Sequence, residues 1–119
     1  MRSVFAAITA AFASLAACTP STAGSPAMDA RAVRTAGGPV IDVRSPAEWA
    51  EGHLPDSTLV PLPELKGRLA DIEALVGGDK TKPVVVVCRS GARAGQARAI
   101  LEQHGFQNVV NGGSWTSLR

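Results

Sequence analysis

Four valines in a row, Val84 to Val87, restrict the fold more than any other stretch of this 119-residue chain. β-Branched side chains favour extended backbone. An apolar run without alternation is the pattern of a strand covered on both faces, as in a parallel sheet. Cys88 stands where that strand ends, and Arg89-Ser90-Gly91-Ala92-Arg93 is short and polar enough to be a tight loop. From Arg93 onward Ala, Gln and Arg favour helix, with Ala97, Ile100, Leu101 and His104 near helical spacing and Gly105 as the C′ stop. Strand, loop and helix in this order predict an α/β fold with parallel crossovers, whose ligands bind at the carboxyl ends of the strands.

A cysteine between a buried strand and a helix start sits in positive potential. Loop and first-turn N–H groups lack intrahelical partners, and the helix dipole adds to them. Arg89 and Arg93 bring two full charges. Each influence favours thiolate, so the Cys88 pKa is expected to fall below the free value of about 8.5. The plain alternative is a small buried hydrophobe. Two arginines and a glycine beside the sulfur favour a nucleophile in an anion-binding cup.

Those residues carry a resemblance. Cys88-Arg89-Ser90-Gly91-Ala92-Arg93 resembles the active-site loop of the rhodanese family of sulfurtransferases. Ile41-Asp42-Val43-Arg44-Ser45-Pro46-Ala47-Glu48-Trp49 followed by Gly52-His53-Leu54-Pro55 resembles its upstream signature, and His104 to Val109 with Gly112-Gly113 its last strand and turn. The likeness covers about residues 39–115 and is nearest in layout to short, exported single-domain members, such as the small periplasmic phage-shock type. It implies a three-layer α/β/α fold with a small parallel sheet of four to five short strands. It also implies that Asp42 and Arg44 lie near the loop and hold its surroundings by hydrogen bonds; the alternative is a surface ion pair. Asp56-Ser57 stands where relatives usually carry Gly-Ala.

The implied chemistry is ping-pong covalent catalysis. The Cys88 thiolate takes the outer sulfur of an anionic donor such as thiosulfate, sulfite leaves, and cyanide or a thiol acceptor removes the sulfur from the persulfide. Arg89 and Arg93 would attract the donor, the N–H groups of Arg89, Ser90, Gly91, Ala92 and Arg93 would cradle the sulfur, and no cofactor is required. One rival is a fold-related phosphatase or arsenate reductase, whose loop resembles Cys-x5-Arg; here only four residues separate Cys88 from Arg93. The other is a persulfide carrier or binding module with little turnover. One free cysteine and two separated histidines make a poor zinc site.

The first 17 residues read as a secretory leader: Met1-Arg2 is a minimal basic start, and Val4 to Ala17 is apolar and too short to span a bilayer comfortably. Leu15-Ala16-Ala17-Cys18 resembles the bacterial lipoprotein box, which implies cleavage before Cys18 and its diacylation. Thr19 after it implies the outer rather than the inner membrane in a host with both. The expected location is the periplasmic side of a bacterial envelope, lipid-anchored; ordinary cleavage near Ala16 or Ala23 would leave a soluble periplasmic protein. With Cys18 acylated, Cys88 is unpaired; the alternative is a Cys18–Cys88 disulfide across the cup. Residues 18–27 form a small-residue tether, leaving 28–119 as the domain, expected to be a monomer. A net charge of +2 with 4% aromatics does not suggest a nucleic-acid partner.

Along the domain, Asp29 to Ala36 predicts a short helix stopped by Gly37-Gly38-Pro39, and Val40 to Val43 a strand. Ser45-Pro46-Ala47-Glu48 reads as a capping box with proline at N1, and Trp49 is expected to pack that helix on the sheet. His53 is read as structural, since amides and arginines suffice to hold a thiolate. Ser57 to Val60 predicts a strand, and Leu65, Leu69, Ile72 and Val76 predict a helix over 64–76 with Lys66, Arg68, Asp71 and Glu73 on its solvated side. Phe106 to Val110 is expected as the last strand, Asn111-Gly112-Gly113 as a turn, and the early Trp115 as an abbreviated close that leaves one sheet face thinly covered.

Overall fold

The computed structural model of the protein describes residues 29–119. The expected leader, Cys18 and the tether lie outside the described residues. In chain order come helix α1 (Ala30–Thr35), strand β1 (Val40–Asp42), helix α2 (Pro46–Glu51) and strand β2 (Ser57–Leu59). A 3-10 segment (Leu62–Arg68) runs into helix α3 (Leu69–Leu75), then strand β3 (Val84–Cys88), helix α4 (Ala92–Gln103), strand β4 (Val109–Ser114) and a closing 3-10 turn (Trp115–Leu118).

The four strands make one parallel sheet in the order β2-β1-β3-β4, with β3 paired to β1 and β4. Every residue of β3 is buried, as its valine run requires. Val84, Val86 and Cys88 join Ile41, Val43, Leu65, Ile72, Ala97 and Leu101 on the face covered by α3 and α4. Val85 and Val87 join Val40, Ala30, Val33, Leu54 and Leu118 on the other. Each such Val, Leu or Ile side chain withdrawn from water stabilises the fold by roughly 1.5–3 kcal/mol. The second face rests on the short α1 and the closing turn, so the expected thin cover is present. Arg34 and Arg31 of α1 reinforce it by donating to the Leu118 and Ser117 carbonyls.

Local signals act as expected at several ends. Asp29 caps α1 by accepting from the Arg31 N–H, and Ser45 and Glu48 close a complete capping box on α2. Asp56, in place of the usual glycine, takes a carboxylate–guanidinium pair with Arg34 at 2.7 Å, while the Ser57 hydroxyl donates to the Leu54 carbonyl. The Arg34 guanidinium holds the Asp56 carboxyl below its usual range.

Several expectations are corrected. The helix over 64–76 is a 3-10 segment followed by a shorter α-helix: Pro61 and Pro63 remove donors and restrict Leu62, and Arg68 at φ −123° breaks the α geometry. Arg68 is not merely solvated, since it donates to the Leu59 carbonyl at 3.1 Å and pairs with Asp71. The last strand starts later and runs through the supposed turn, because Phe106 belongs to the helix stop, donating its N–H to the Leu101 carbonyl. Gly112 fits there for steric reasons: a Cβ would lie 2.9 Å from Val87 and 3.0 Å from Val85. Finally, Trp49 is only half-buried and stacks on His53 at 3.6 Å, and His104 is exposed beyond the α4 stripe.

Candidate active site

Cys88 closes β3 with its residue fully buried. Gly91, at φ +104°, turns the chain back over the sulfur, a conformation that a Cβ disfavours. Its N–H then donates to Cys88 Sγ at 2.9 Å, and the Ala94 N–H follows at 3.4 Å from the first turn of α4. Burial pushes the thiol pKa up, but the N–H groups of Ala94, Gly91, Ser90 and Arg93 together outweigh it, leaving the pKa below the ordinary thiol value. The expected direction therefore holds, with the backbone N–H groups as its leading cause, and the Arg93 guanidinium and the sulfur attract each other as well. Ser90 contributes its main-chain N–H here, and the Ser90 and Ala92 side chains are exposed.

The loop is pinned from β4 by a residue that sequence reasoning placed in a turn. Asn111 Nδ2 donates to the Gly91 carbonyl at 3.0 Å, and its Oδ1 accepts from the Gly113 N–H at 2.8 Å. A register shift between Val86 and Cys88, where Cys88 comes opposite Ser114, accompanies this contact. The only sequence signal was an asparagine before two glycines, which reads equally well as a turn.

Asp42 and Arg44 form a buried pair, not a surface one, at 0% and 4% exposure. Arg44 Nη2 meets Asp42 Oδ2 at 2.8 Å, and Nε bridges both carboxylate oxygens. Arg44 also donates to the Gly52 carbonyl at 2.7 Å and lies 4.7 Å from the centre of the Trp115 ring. This pair ties the end of β1 to the end of α2 and to the closing turn.

Arg93 departs from expectation. Its guanidinium grips Glu48 through two hydrogen bonds of 2.6 and 2.9 Å, joining the first turns of α2 and α4. The Arg93 bonds hold the Glu48 carboxyl far below its usual range, with the Ser45 N–H assisting. Arg93 is thus an ion-paired cation at the cup, where a free charge was expected. Arg89 is exposed, and among the described residues it has no ion-pair partner. It borders a groove of about 440 Å³ together with Arg44, Glu48, Glu51, Ser114, Trp115 and Thr116. His53 is exposed, its Nδ1 2.8 Å from the Trp49 carbonyl, in keeping with a structural part. A larger cavity of about 640 Å³ includes Pro39 and Pro83, just before β1 and β3. It therefore lies at the opposite end of the strands from Cys88.

The arrangement can hold a negative sulfur in a ring of N–H groups, beside a groove with one unpaired cation. Residues 27–116 match the family model described as rhodanese-like domain. The chain is 41% identical over 69 residues to a sulfurtransferase of Allochromatium vinosum, covering 58% of this chain and 59% of that protein. It is 37% identical over 71 residues to the thiosulfate sulfurtransferase PspE of Escherichia coli, covering 60% and 64%. These matches span about three-fifths of each curated relative's length. Among solved structures, a rhodanese with anions from E. coli superposes with TM-score 0.59 at 34% identity, over 67% of this chain and 89% of that one. The human single-domain sulfurtransferase TSTD1 shares the fold at TM-score 0.60 and 24% identity, over 81% and 99%. With the loop, the four-stranded parallel sheet and the match over residues 27–116 in agreement, the chain belongs to the rhodanese-like family.

Proposed function

We propose that this chain is a sulfurtransferase that carries a sulfane sulfur on Cys88, from a donor such as thiosulfate to cyanide or a thiol. The observation that carries the reading is the cup itself: a depressed-pKa sulfur that accepts from the Gly91 and Ala94 N–H groups. The thiolate attacks the outer sulfur of thiosulfate, the S–S bond of the donor breaks, and sulfite leaves with the electron pair. The acceptor then attacks the outer sulfur of the Cys88 persulfide and returns the thiolate. Arg89 draws in the dianionic donor and offsets charge on departing sulfite. Arg93, with Glu48, holds the start of α4 so that its amides keep facing the sulfur.

Formation of thiocyanate from thiosulfate and cyanide tests this, with loss of turnover expected in Cys88→Ser. Turnover equal to the parent in that variant would reject Cys88 as the nucleophile. A second reading, a persulfide carrier with little turnover, draws support from the complete burial of Cys88, which favours keeping a sulfur over exchanging it. Sulfur loading without sustained thiocyanate formation would select it. The tight spacing of Cys88 and Arg93 disfavours phosphate or arsenate chemistry.

We also propose a lipid anchor at Cys18 on the periplasmic side of a bacterial envelope, the outer membrane where there are two, with the domain acting as a monomer. The support is the Leu15-Ala16-Ala17-Cys18 run alone. Cys18→Ala is expected to move the protein to the soluble fraction, and persistence in the membrane fraction would overturn the anchor.

A further inference from the structure

Asn111 reaches the cup from the same sheet face as the sulfur. It pairs with Val86, which shares the layer of Val109 and Cys88 under α4. Beyond that pair the ladder is irregular: two steps along β3, from Val86 to Cys88, match three along β4, from Asn111 to Ser114. The extra residue makes a bulge, a device that bends a strand and re-aims a side chain. Gly113 supplies left-handed backbone there at φ +73°, and its N–H donates to Asn111 Oδ1 at 2.8 Å. With Oδ1 so held, Nδ2 faces the Gly91 carbonyl and donates to it at 3.0 Å. The same carbonyl accepts from the Gly95 N–H at 2.9 Å inside α4. Gly91 is thus held twice, once by its own helix and once by the neighbouring strand. Loop and bulge also lie close together, since a Cβ on Gly91 would stand 3.5 Å from Gly113 Cα.

An amide favours a thiolate only while it points at the sulfur. The Gly91 and Ala94 N–H groups lie 2.9 and 3.4 Å from Cys88 Sγ, and both belong to the segment that the Gly91 carbonyl anchors. We infer that Asn111 is a positioning residue for the Cys88 cup: its carboxamide fixes the turn at Gly91 and so keeps those two N–H groups on the sulfur. Without it the Gly91 carbonyl retains its partner in α4, but among the described residues no other hydrogen bond joins the turn to β4. The N–H groups are then free to divide their time between the sulfur and water. Asn111 acts through the backbone alone. The inference rests on the sulfur-transfer reading, for which it names a residue that sets how much of Cys88 is thiolate at a given pH.

The test follows alkylation of the full chain by iodoacetamide against pH, with Cys88→Ser giving the background from Cys18. The rate of sulfur loading from thiosulfate is measured over the same pH range. Asn111→Ala, at an exposed position, removes both bonds of the carboxamide. Asn111→Asp keeps the acceptor for Gly113 and removes the donor to Gly91. Asn108→Ala is the control, since Asn108 Nδ2 makes the corresponding bond to the Thr81 carbonyl at the far end of β4. β4 carries no titratable group, and the charged residues around the cup (Asp42, Arg44, Glu48, Arg89 and Arg93) are the same in both alanine variants. The alkylation midpoint is expected to rise by about half a pH unit in Asn111→Ala, the scale of one hydrogen bond. It should rise further in Asn111→Asp, whose carboxylate adds repulsion, and stay in place in Asn108→Ala. Loading should fall about threefold in Asn111→Ala below the midpoint, the same half unit read as thiolate fraction, and return to the parent rate well above it. A parent midpoint in both Asn111 variants, an equal rise in Asn108→Ala, or loading slowed alike at every pH would overturn the positioning role and leave sulfur transfer intact. Failure of the parent to load would overturn the sulfur-transfer reading instead, and the alkylation midpoints would still decide what Asn111 does.

Discussion

The two sides of the Cys88 cup are built in opposite ways. On the α2 side, charges are spent on each other: Asp42 with Arg44 in the interior and Glu48 with Arg93 at the rim. Along the groove that Ser114 and Trp115 line, Arg89 and Glu51 are exposed and have no ion-pair partner among the described residues. The closed side keeps amides aimed at a sulfur, and the open side is left to meet solutes. Two arginines four positions apart in sequence thus take different parts, which residue type alone does not reveal.

The comparison breaks most sharply at Asp42. Asp42→Ala leaves the Arg44 charge buried and alone, which costs about 3–5 kcal/mol and is measured as a fall in the denaturant midpoint. A variant as stable as the parent would mean that the closed side does not hold the fold. Next is Gly91→Ala. The left-handed backbone at this position costs about 1–2 kcal/mol with a Cβ present. Displacing the Gly91 N–H also removes one of the bonds that lower the Cys88 pKa. Because alkylation requires thiolate, the parent should react with iodoacetamide with a midpoint below the free value of about 8.5. The variant's midpoint should move upward, and an unmoved one would separate the amide from the sulfur's acidity.

Arg89→Ala and Arg93→Ala sharpen the contrast directly. Arg89→Ala should lower kcat/KM for thiosulfate about tenfold, the effect of one charged hydrogen bond, with stability within about 0.5 kcal/mol of the parent. Arg93→Ala should reverse the emphasis, losing about 1 kcal/mol of stability with the smaller effect on donor use. The opposite ranking would exchange the roles assigned to them. The smallest effect lies in acid. Glu48 has its folded pKa lowered, so its contribution is full above its unfolded value near 4.5 and is lost as pH falls toward the folded one. Glu48→Gln should therefore flatten the loss of stability below that pH, read from midpoints across an acid series.

Much of this was legible in the chain. Val84 to Val87 specify a doubly covered strand, Ser45 and Glu48 a helix start, and the cysteine after the strand the position of the cup. What escaped reading depends on tertiary partners. Glu48 satisfies the capping box and also binds Arg93, and only the second contact decides whether a free cation faces the donor. Asn111 looked like a turn residue because its partner, the Gly91 carbonyl, lies 20 positions away. Gly112 continues a strand because valines on β3 leave no space for a Cβ, a constraint set by a neighbour rather than by local preference. Pro61 and Pro63 are visible in the chain, but the apolar spacing after them reads as one α-helix, and the structure has a 3-10 segment there.

The most direct measurement is the intact mass of the full chain after incubation with thiosulfate and removal of the donor. The expected result is a gain of one sulfur atom, located on Cys88, released by cyanide as thiocyanate and absent from Cys88→Ser. A mass unchanged by thiosulfate, or a gain that persists in Cys88→Ser, would contradict a sulfur-carrying Cys88.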